Sequence, residues 1–343
     1  MIELLEQQRL TLRQNKDSLT AQALLDRRDQ VWLPYDRVAA KQQASEFRLL
    51  STSVKINNAH LQRFRLDYSK IHNLLIINGM GITLGDSIIG MSVLMWLLDT
   101  YPHLHITLWR SSFTPSYVEA LYINRSNRLH IKHLPCPANR ISDFDASIDL
   151  SDFMFRPDFD NLAMIDFFLE SLGLDPFMMP VSEKANTWLS RAFSFNNHEV
   201  PYVLFCPRSC AKLRSIPEAF HFEIIDQIWK KYGIPIKGFS NAKHPQFTDL
   251  SNDSRTLNDY AKHISNATCV ITTDSASVHL AAGFHIPTIA YFVSIKAVKR
   301  TRDYPMCSSI NLDQLNMLDG LHTTDDPDLL NYACSLWEGI QLP

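Results

Sequence analysis

The sequence predicts an α/β protein built from two successive parallel-sheet halves, and three observations carry that prediction. Apolar runs of strand length recur at residues 74–77, 105–109, 202–205, 267–273 and 287–292. Stretches with helical spacing lie between them, joined by short turns. A polar segment at 194–198 separates one such alternation from a second. Continuous apolar strands alternating with helices indicate a parallel sheet covered on both faces.

Taken in order, residues 1–32 carry leucines at helical spacing (Leu4, Leu5, Leu10, Leu12, Leu19, Leu24, Leu25) until Pro34 ends the run. Residues 36–69 read as further helix and loop, so 1–70 is expected to form a helical amino-terminal extension. The first strand, 74–77, runs into a turn punctuated by Gly79, Gly81 and Gly85 and then a helix over 87–99. A strand at 105–109, a helical stretch near 115–123, strands near 130–133 and 146–150, and a helix over 160–172 follow. After a helix and polar linker over 181–198, a second series begins: strand 202–205, helix 218–232, strand 234–238, helix 256–265, strand 268–272, helix 277–283 and strand 287–292. The expected domains are therefore 71–195 and 196–325, with a last helix in 326–343 packing back on the first half.

Composition narrows the functional classes. The chain has 343 residues, 45% of them hydrophobic and 20% charged, which suits two globular domains and excludes a disordered chain. Its six cysteines are scattered; Cys206 and Cys210 lie close, and no second pair completes a zinc site. Reduced thiols and a cytoplasmic location are expected. Residues 1–17 are too charged for a signal peptide, and the apolar stretch 88–98 is too short to span a bilayer. The net charge of −3 divides unevenly: 12 Lys/Arg against 8 Asp/Glu in residues 1–70 give +4, and 21 against 28 in the remainder give −7. A basic amino-terminal segment suits anionic lipid, an acidic partner or an oligomer contact, though a solvated helical face is the plainer reading. No nucleic-acid partner is expected.

Three segments carry chemistry. In residues 270–283 a buried strand ends in Asp274, Ser275, Ala276 and Ser277, and a helix opens with His279 one turn in. The carboxyl end of a parallel strand and the first turn of the next helix together make an anion site. The loop 206–217 brings Arg208, Lys212 and Arg214 within seven residues after another strand, with Ser209 among them. Such cations suit a diphosphate. The third segment, Gly79-x-Gly81-x-x-x-Gly85-Asp86, is one residue longer than a dinucleotide fingerprint. Trp109 and Arg110 end the next strand, where an arginine would suit NADP. Asp86, in a helix's first turn, has its charge favoured by the dipole and is able to take a proton; simple capping is the competing reading.

In this order the segments resemble glycosyltransferase family nine, the ADP-heptose:lipopolysaccharide heptosyltransferases, over about residues 71–320. Leu84-Gly85-Asp86 matches the family's Leu-Gly-Asp, and Asp145-Ala-Ser-Ile-Asp-Leu150 its mid-domain acidic motif. Arg214-Ser-Ile-Pro217 stands at its Lys-x-Trp-Pro, and residues 274–282 at its Asp-Ser/Thr-Gly-x-x-His-Leu-Ala-Ala. The resemblance implies a GT-B fold, two Rossmann-like domains with parallel sheets facing a central cleft. It implies an inverting transfer without metal or cofactor, from a nucleotide sugar (ADP-heptose by default) to an acceptor hydroxyl. Asp86 is implied as general base. Asp274, Ser275, Ala276 and His279 would line the donor site, Lys212 or Arg214 would neutralise the diphosphate, and Gly85, Arg208 and Ser209 would belong to a phosphate or acceptor loop. The acceptor would be lipopolysaccharide core, another glycan or glycolipid, or a protein, at the inner face of the membrane. Three departures stand out: Ala276 for glycine, Arg214 for lysine and Ile216 for tryptophan. The alternatives are a binding protein without turnover, a nucleotide-sugar epimerase and an NADP oxidoreductase.

Overall fold

A computed structural model describes residues 22–43, 46–195 and 200–343. The leucine-rich stretch before residue 22 and most of the 194–198 linker lie outside these residues. The chain divides into two units after Pro180.

The first unit opens with short strands β1 (Leu24–Leu25), β2 (Gln30–Trp32) and β3 (Arg48–Leu49), and a helix α1 (Pro34–Ala39). This corrects the expectation of helix in this stretch. The Asp26 carboxylate accepts the N–H groups of Arg28 (2.8 Å) and Gln30 (2.9 Å), and Asp29 adopts φ 56°. Those residues close a hairpin, which places Leu24 opposite Trp32. Leu24 and Leu25, the described leucines of the series, thus lie on a strand.

The main sheet of this unit comprises β4 (Asn73–Ile77), β5 (His105–Arg110), β6 (Leu129–His133) and, after the short β7 (Cys136–Pro137), β8 (Ala146–Asp149). Its order is β6-β5-β4-β8, all parallel, while β7 pairs with β2. Leu74 to Ile77 are all fully buried, as a strand covered on both faces requires. The order reverses between β4 and β8, and α2 (Leu84–Thr100) starts beside that point. The acids of the 145–150 motif have local tasks. Asp145 accepts the N–H groups of His72 (2.9 Å) and Asn73 (2.8 Å), anchoring the start of β4. Asp149, at the end of β8, accepts those of Ala23 and Ser151, each at 2.8 Å. The helix expected over 160–172 is broken near Ala163, and α3 (Met164–Ser171) buries its apolar side.

The second unit, Val181–Pro343, holds a six-stranded parallel sheet: β9 (Val203–Cys206), β10 (Ile236–Gly238), β11 (Phe247–Asp249), β12 (Cys269–Thr273), β13 (Thr288–Phe292) and β14 (Cys307–Asn311). The order β11-β10-β9-β12-β13-β14 is that of a doubly wound dinucleotide-binding sheet, with its switch point between β9 and β12. Helices α4 (His221–Tyr232), α5 (Leu257–Ser265) and α6 (Ala276–Gly283) connect the strands. Thr256 and Asp259 form a capping box that starts α5. The last helix, α7 (Pro327–Ser335), was expected on the first half. Instead Leu329, Ala333 and the following Trp337 join the core of the second unit, with Val203, Ile228 and Tyr291. Its apolar stripe is satisfied there.

Gly238 shows how closely β9 and β10 approach. A Cβ at that position would run into the Phe205 carbonyl of the paired strand. Gly238→Ala should therefore cost about 1–3 kcal/mol of stability, seen as a lower thermal midpoint. An unchanged midpoint would contradict this packing.

Candidate functional site

Both loops at the switch point of the second unit come from segments singled out in the sequence. Strand β9 ends at Cys206, paired with Thr272 of β12, so the 207–216 loop and the Asp274 turn leave the sheet side by side. The loop closes on itself: the Ile216 N–H donates to the Pro207 carbonyl (2.8 Å), and the Ser215 hydroxyl donates to the Ala211 carbonyl (2.9 Å). The Ser215 hydroxyl also accepts the Ser209 N–H at 2.9 Å.

This loop grips Asp274. Arg214 Nη1 donates to Asp274 Oδ2 at 2.8 Å and to its carbonyl at 3.3 Å, and the Ser209 hydroxyl donates to the same carbonyl at 2.8 Å. The remaining Arg214 nitrogens reach the His322 carbonyl (3.1 Å) and Cys210 Sγ (2.9 Å). Both partners are withdrawn from water, at 14% and 3% side-chain exposure. Burial alone would raise the Asp274 carboxyl, but the neighbouring Arg214 and Arg300 guanidinium groups hold it below its ordinary value. It is a carboxylate at neutral pH. Arg214 thus serves as a clamp on the turn, with its donors turned inward. The exposed cations of the loop are Arg208, 3.5 Å from Glu218, and Lys212, which has no ion-pair partner among the described residues.

Helix α6 begins at Ala276, with Ser275 as its extended N-cap. No side chain caps it, because the Ser275 hydroxyl bonds instead to those of Ser277 (2.6 Å) and Thr272 (3.2 Å). The first-turn N–H groups therefore keep their anion-binding character. Ala276 is helical, so the family's glycine is not needed for a left-handed backbone here.

His279 lies deeper than expected. It is 3% exposed, and its Nδ1 stands 2.8 Å from the Tyr304 hydroxyl. Asn186 Nδ2 donates to both the His279 carbonyl (3.1 Å) and the Tyr304 hydroxyl (2.8 Å). Burial pushes the His279 imidazole down to about 3, against the pull of Asp274. It is neutral and braces α6 from within. Sequence reading missed Asn186 and Tyr304, which lie far away along the chain and belong to no motif.

In the first unit, Asp86 is half-buried in the first turn of α2. The capping residue is Thr83, whose hydroxyl accepts the Asp86 N–H at 3.4 Å. The Asp86 carboxylate is thus not needed as the cap. Gly81 has φ 69°, and a Cβ there would come within 2.9 Å of the Phe153 ring and 3.9 Å of Asp86 Oδ2. The absence of a side chain at Gly81 leaves room for the Phe153 ring against the turn. In the 150–156 loop Asp152 is left-handed at φ 50°; burial, aided by Asp149, raises its carboxyl to about 7 against Arg156. Gly85 is half-buried beside Asp86. Arg110 is 1% exposed, bonds Glu119 at 2.7 Å and the Gly79 carbonyl, and stacks on Tyr122. It is committed to the glycine turn, which removes the arginine of the NADP alternative.

No protein-family model and no curated protein matches this chain. Solved structures similar to it include E. coli heptosyltransferase WaaC with ADP, at 14% identity and TM-score 0.48, covering 72% of this chain and 96% of that one. A glycosyl transferase of family 9 from Veillonella parvula is similar at 16% identity and TM-score 0.48, covering 73% and 87%. E. coli ADP-heptose lps heptosyltransferase II is similar at 15% and 0.48, covering 77% and 98%. Among the described residues no group of three or more His, Cys, Asp or Glu is placed to hold a metal ion, and no helix is long and apolar enough to cross a membrane.

Two outcomes follow from this geometry. Arg214→Ala leaves Asp274 buried without its main partner and should cost roughly 3–5 kcal/mol, with Arg214→Lys intermediate, by denaturant unfolding. Between pH 6.5 and about 3 the unfolded chain protonates His279 and the folded chain does not. Its contribution to stability therefore falls as pH drops, by up to about 1.4 kcal/mol per unit. His279→Gln should flatten that part of the stability profile; an unchanged acid slope would contradict the neutral buried imidazole.

Proposed function

We propose that the chain is a glycosyltransferase that uses a nucleotide-sugar donor, with its diphosphate bound at the switch point of the second unit. The observation that carries this reading is the uncapped start of α6, held beside a basic loop by the Arg214–Asp274 clamp. A helix's first N–H groups and positive dipole end favour an anion, and charge-assisted bonds from Arg208 and Lys212 strengthen its binding. The Ser209 and Ser275 hydroxyls serve the scaffold, bonded to the Asp274 carbonyl and to Ser277 and Thr272, so the backbone N–H groups and the two cations are the donors for the anion. Arg214 acts through Asp274, so Lys212 and Arg208 are the cations for the leaving diphosphate.

In this reading Asp86 is the general base. It takes the acceptor hydroxyl's proton as that oxygen attacks the anomeric carbon, the bond to the diphosphate breaks, and configuration inverts. The loop's cations and the α6 dipole stabilise the charge that develops on the departing diphosphate. The motif resemblance makes ADP-heptose the default donor and a glycan or glycolipid hydroxyl, such as that of lipopolysaccharide core, the acceptor, at the inner face of the membrane.

Asp86→Asn should leave donor affinity within about twofold and lower transfer, or donor hydrolysis in the absence of acceptor, by about 10²–10⁴. ADP-heptose and UDP-glucose serve as donors, with ADP, UDP and NADP screened by thermal shift. A fully active Asp86→Asn variant removes Asp86 from the reaction. A midpoint raised only by NADP overturns the transferase reading.

A further inference from the structure

The carboxyl ends of β13 and β14 border an open pocket of about 190 Å³, lined by Val293, Ser294, Lys296, Asn311, Asp313 and Asp319 among others. It is a built feature of the unit. The Gly320 N–H donates to the Ser294 carbonyl (2.8 Å), the Ala297 N–H to Asn311 Oδ1 (2.8 Å), and the Leu318 N–H to Asp313 Oδ2 (2.7 Å). The first two bonds tie the loop after β13 to β14 and the loop that follows it, and the third closes that following loop on itself. Ser294 is only 2% exposed, yet its hydroxyl has no hydrogen-bond partner among the described residues. A buried hydroxyl left unpaired is unfavourable, and a ligand hydroxyl would relieve it. At the rim, Lys296 Nζ stands 3.9 Å from Asp319 Oδ2, so a donor and an acceptor are offered together.

The position of the cavity relates it to the anion site. Tyr291 of β13 is in register with Thr273 of β12, and the Thr273 hydroxyl donates to the Tyr291 carbonyl at 3.0 Å. The cavity therefore lies along the same sheet edge as the Asp274 turn, on the side towards β14. Its lining holds no aromatic ring on which a nucleobase would stack, and it combines hydroxyl, ammonium, amide and carboxylate side chains around a small volume. That chemistry suits a single polyhydroxylated ring. We propose that this pocket receives the glycosyl ring of the donor, with Ser294 and Lys296 meeting its hydroxyl groups and so selecting the sugar. The proposal rests on the transferase reading above.

Calorimetric titration of the full chain with ADP and ADP-heptose, and with UDP and UDP-glucose, tests it. Ser294→Leu, which fills the cavity, and Lys296→Ala, at its rim, should each weaken the nucleotide sugar about tenfold or more while leaving the nucleoside diphosphate within about twofold. Thermal midpoints confirm that the variants fold, and Lys296→Ala decides the matter if Ser294→Leu does not. Undiminished nucleotide-sugar affinity, or equal loss of both ligands, overturns the pocket's role. If the wild-type chain binds none of the four, the transferase reading fails and the pocket's role with it.

Discussion

Arg214 and Asp274 sit on loops that leave neighbouring parallel strands, and each would be costly to bury alone. Together they satisfy one another at 2.8 Å, and the arginine's remaining donors fasten the Asp274 carbonyl and the His322 carbonyl. Breaking such a pair leaves a buried charge uncompensated, so the turn it holds has little freedom. That rigidity matters because the next residues open α6. The N–H groups of its first turn are useful to an anion only if they point in a fixed direction before the anion arrives. His279, neutral and braced by Tyr304, supports the same helix one turn further in. Clamp, turn and brace form one preorganised unit.

The clamp also separates residues that look equivalent in sequence. Arg208, Lys212 and Arg214 lie within seven residues of one another, and composition gives no reason to rank them. The fork of an arginine suits a carboxylate and a carbonyl at once, whereas a lysine is a compact point charge on a flexible stem. Arg214 is consumed by the scaffold in this way. Lys212 and Arg208, exposed on the same loop, keep their charge at the surface. In the first unit a similar division holds: Thr83 supplies the cap, Gly81 makes room for the Phe153 ring, and the Asp86 carboxylate is not the capping group.

The parallel strands were legible because burial on both faces leaves an uninterrupted apolar run, as in Leu74 to Ile77 and Val203 to Phe205. The hairpin at 24–32 was not, since strands of two and three residues show no period and β7, the outer partner of β2, lies far along the chain. Leu24 and Leu25, the two described leucines of the helical spacing, are buried by tertiary packing. Strands β11 and β14 were missed because their residues are largely exposed or half-exposed at the sheet edges. At the site, the sequence marked a loop and a turn that the fold brings side by side at the switch point. It did not assign tasks within them: the inward use of Arg214, the burial of His279, and the supporting Asn186 and Tyr304 all depend on contacts between distant segments.

The central claim is that the start of α6 and the 207–216 loop receive a diphosphate. Hydrogen exchange followed peptide by peptide, with and without the nucleoside diphosphate that most raises the thermal midpoint, tests it most directly. Slowed exchange concentrated at residues 274–279 and 207–216 is the predicted result. Protection elsewhere, with these two segments unchanged, would contradict it.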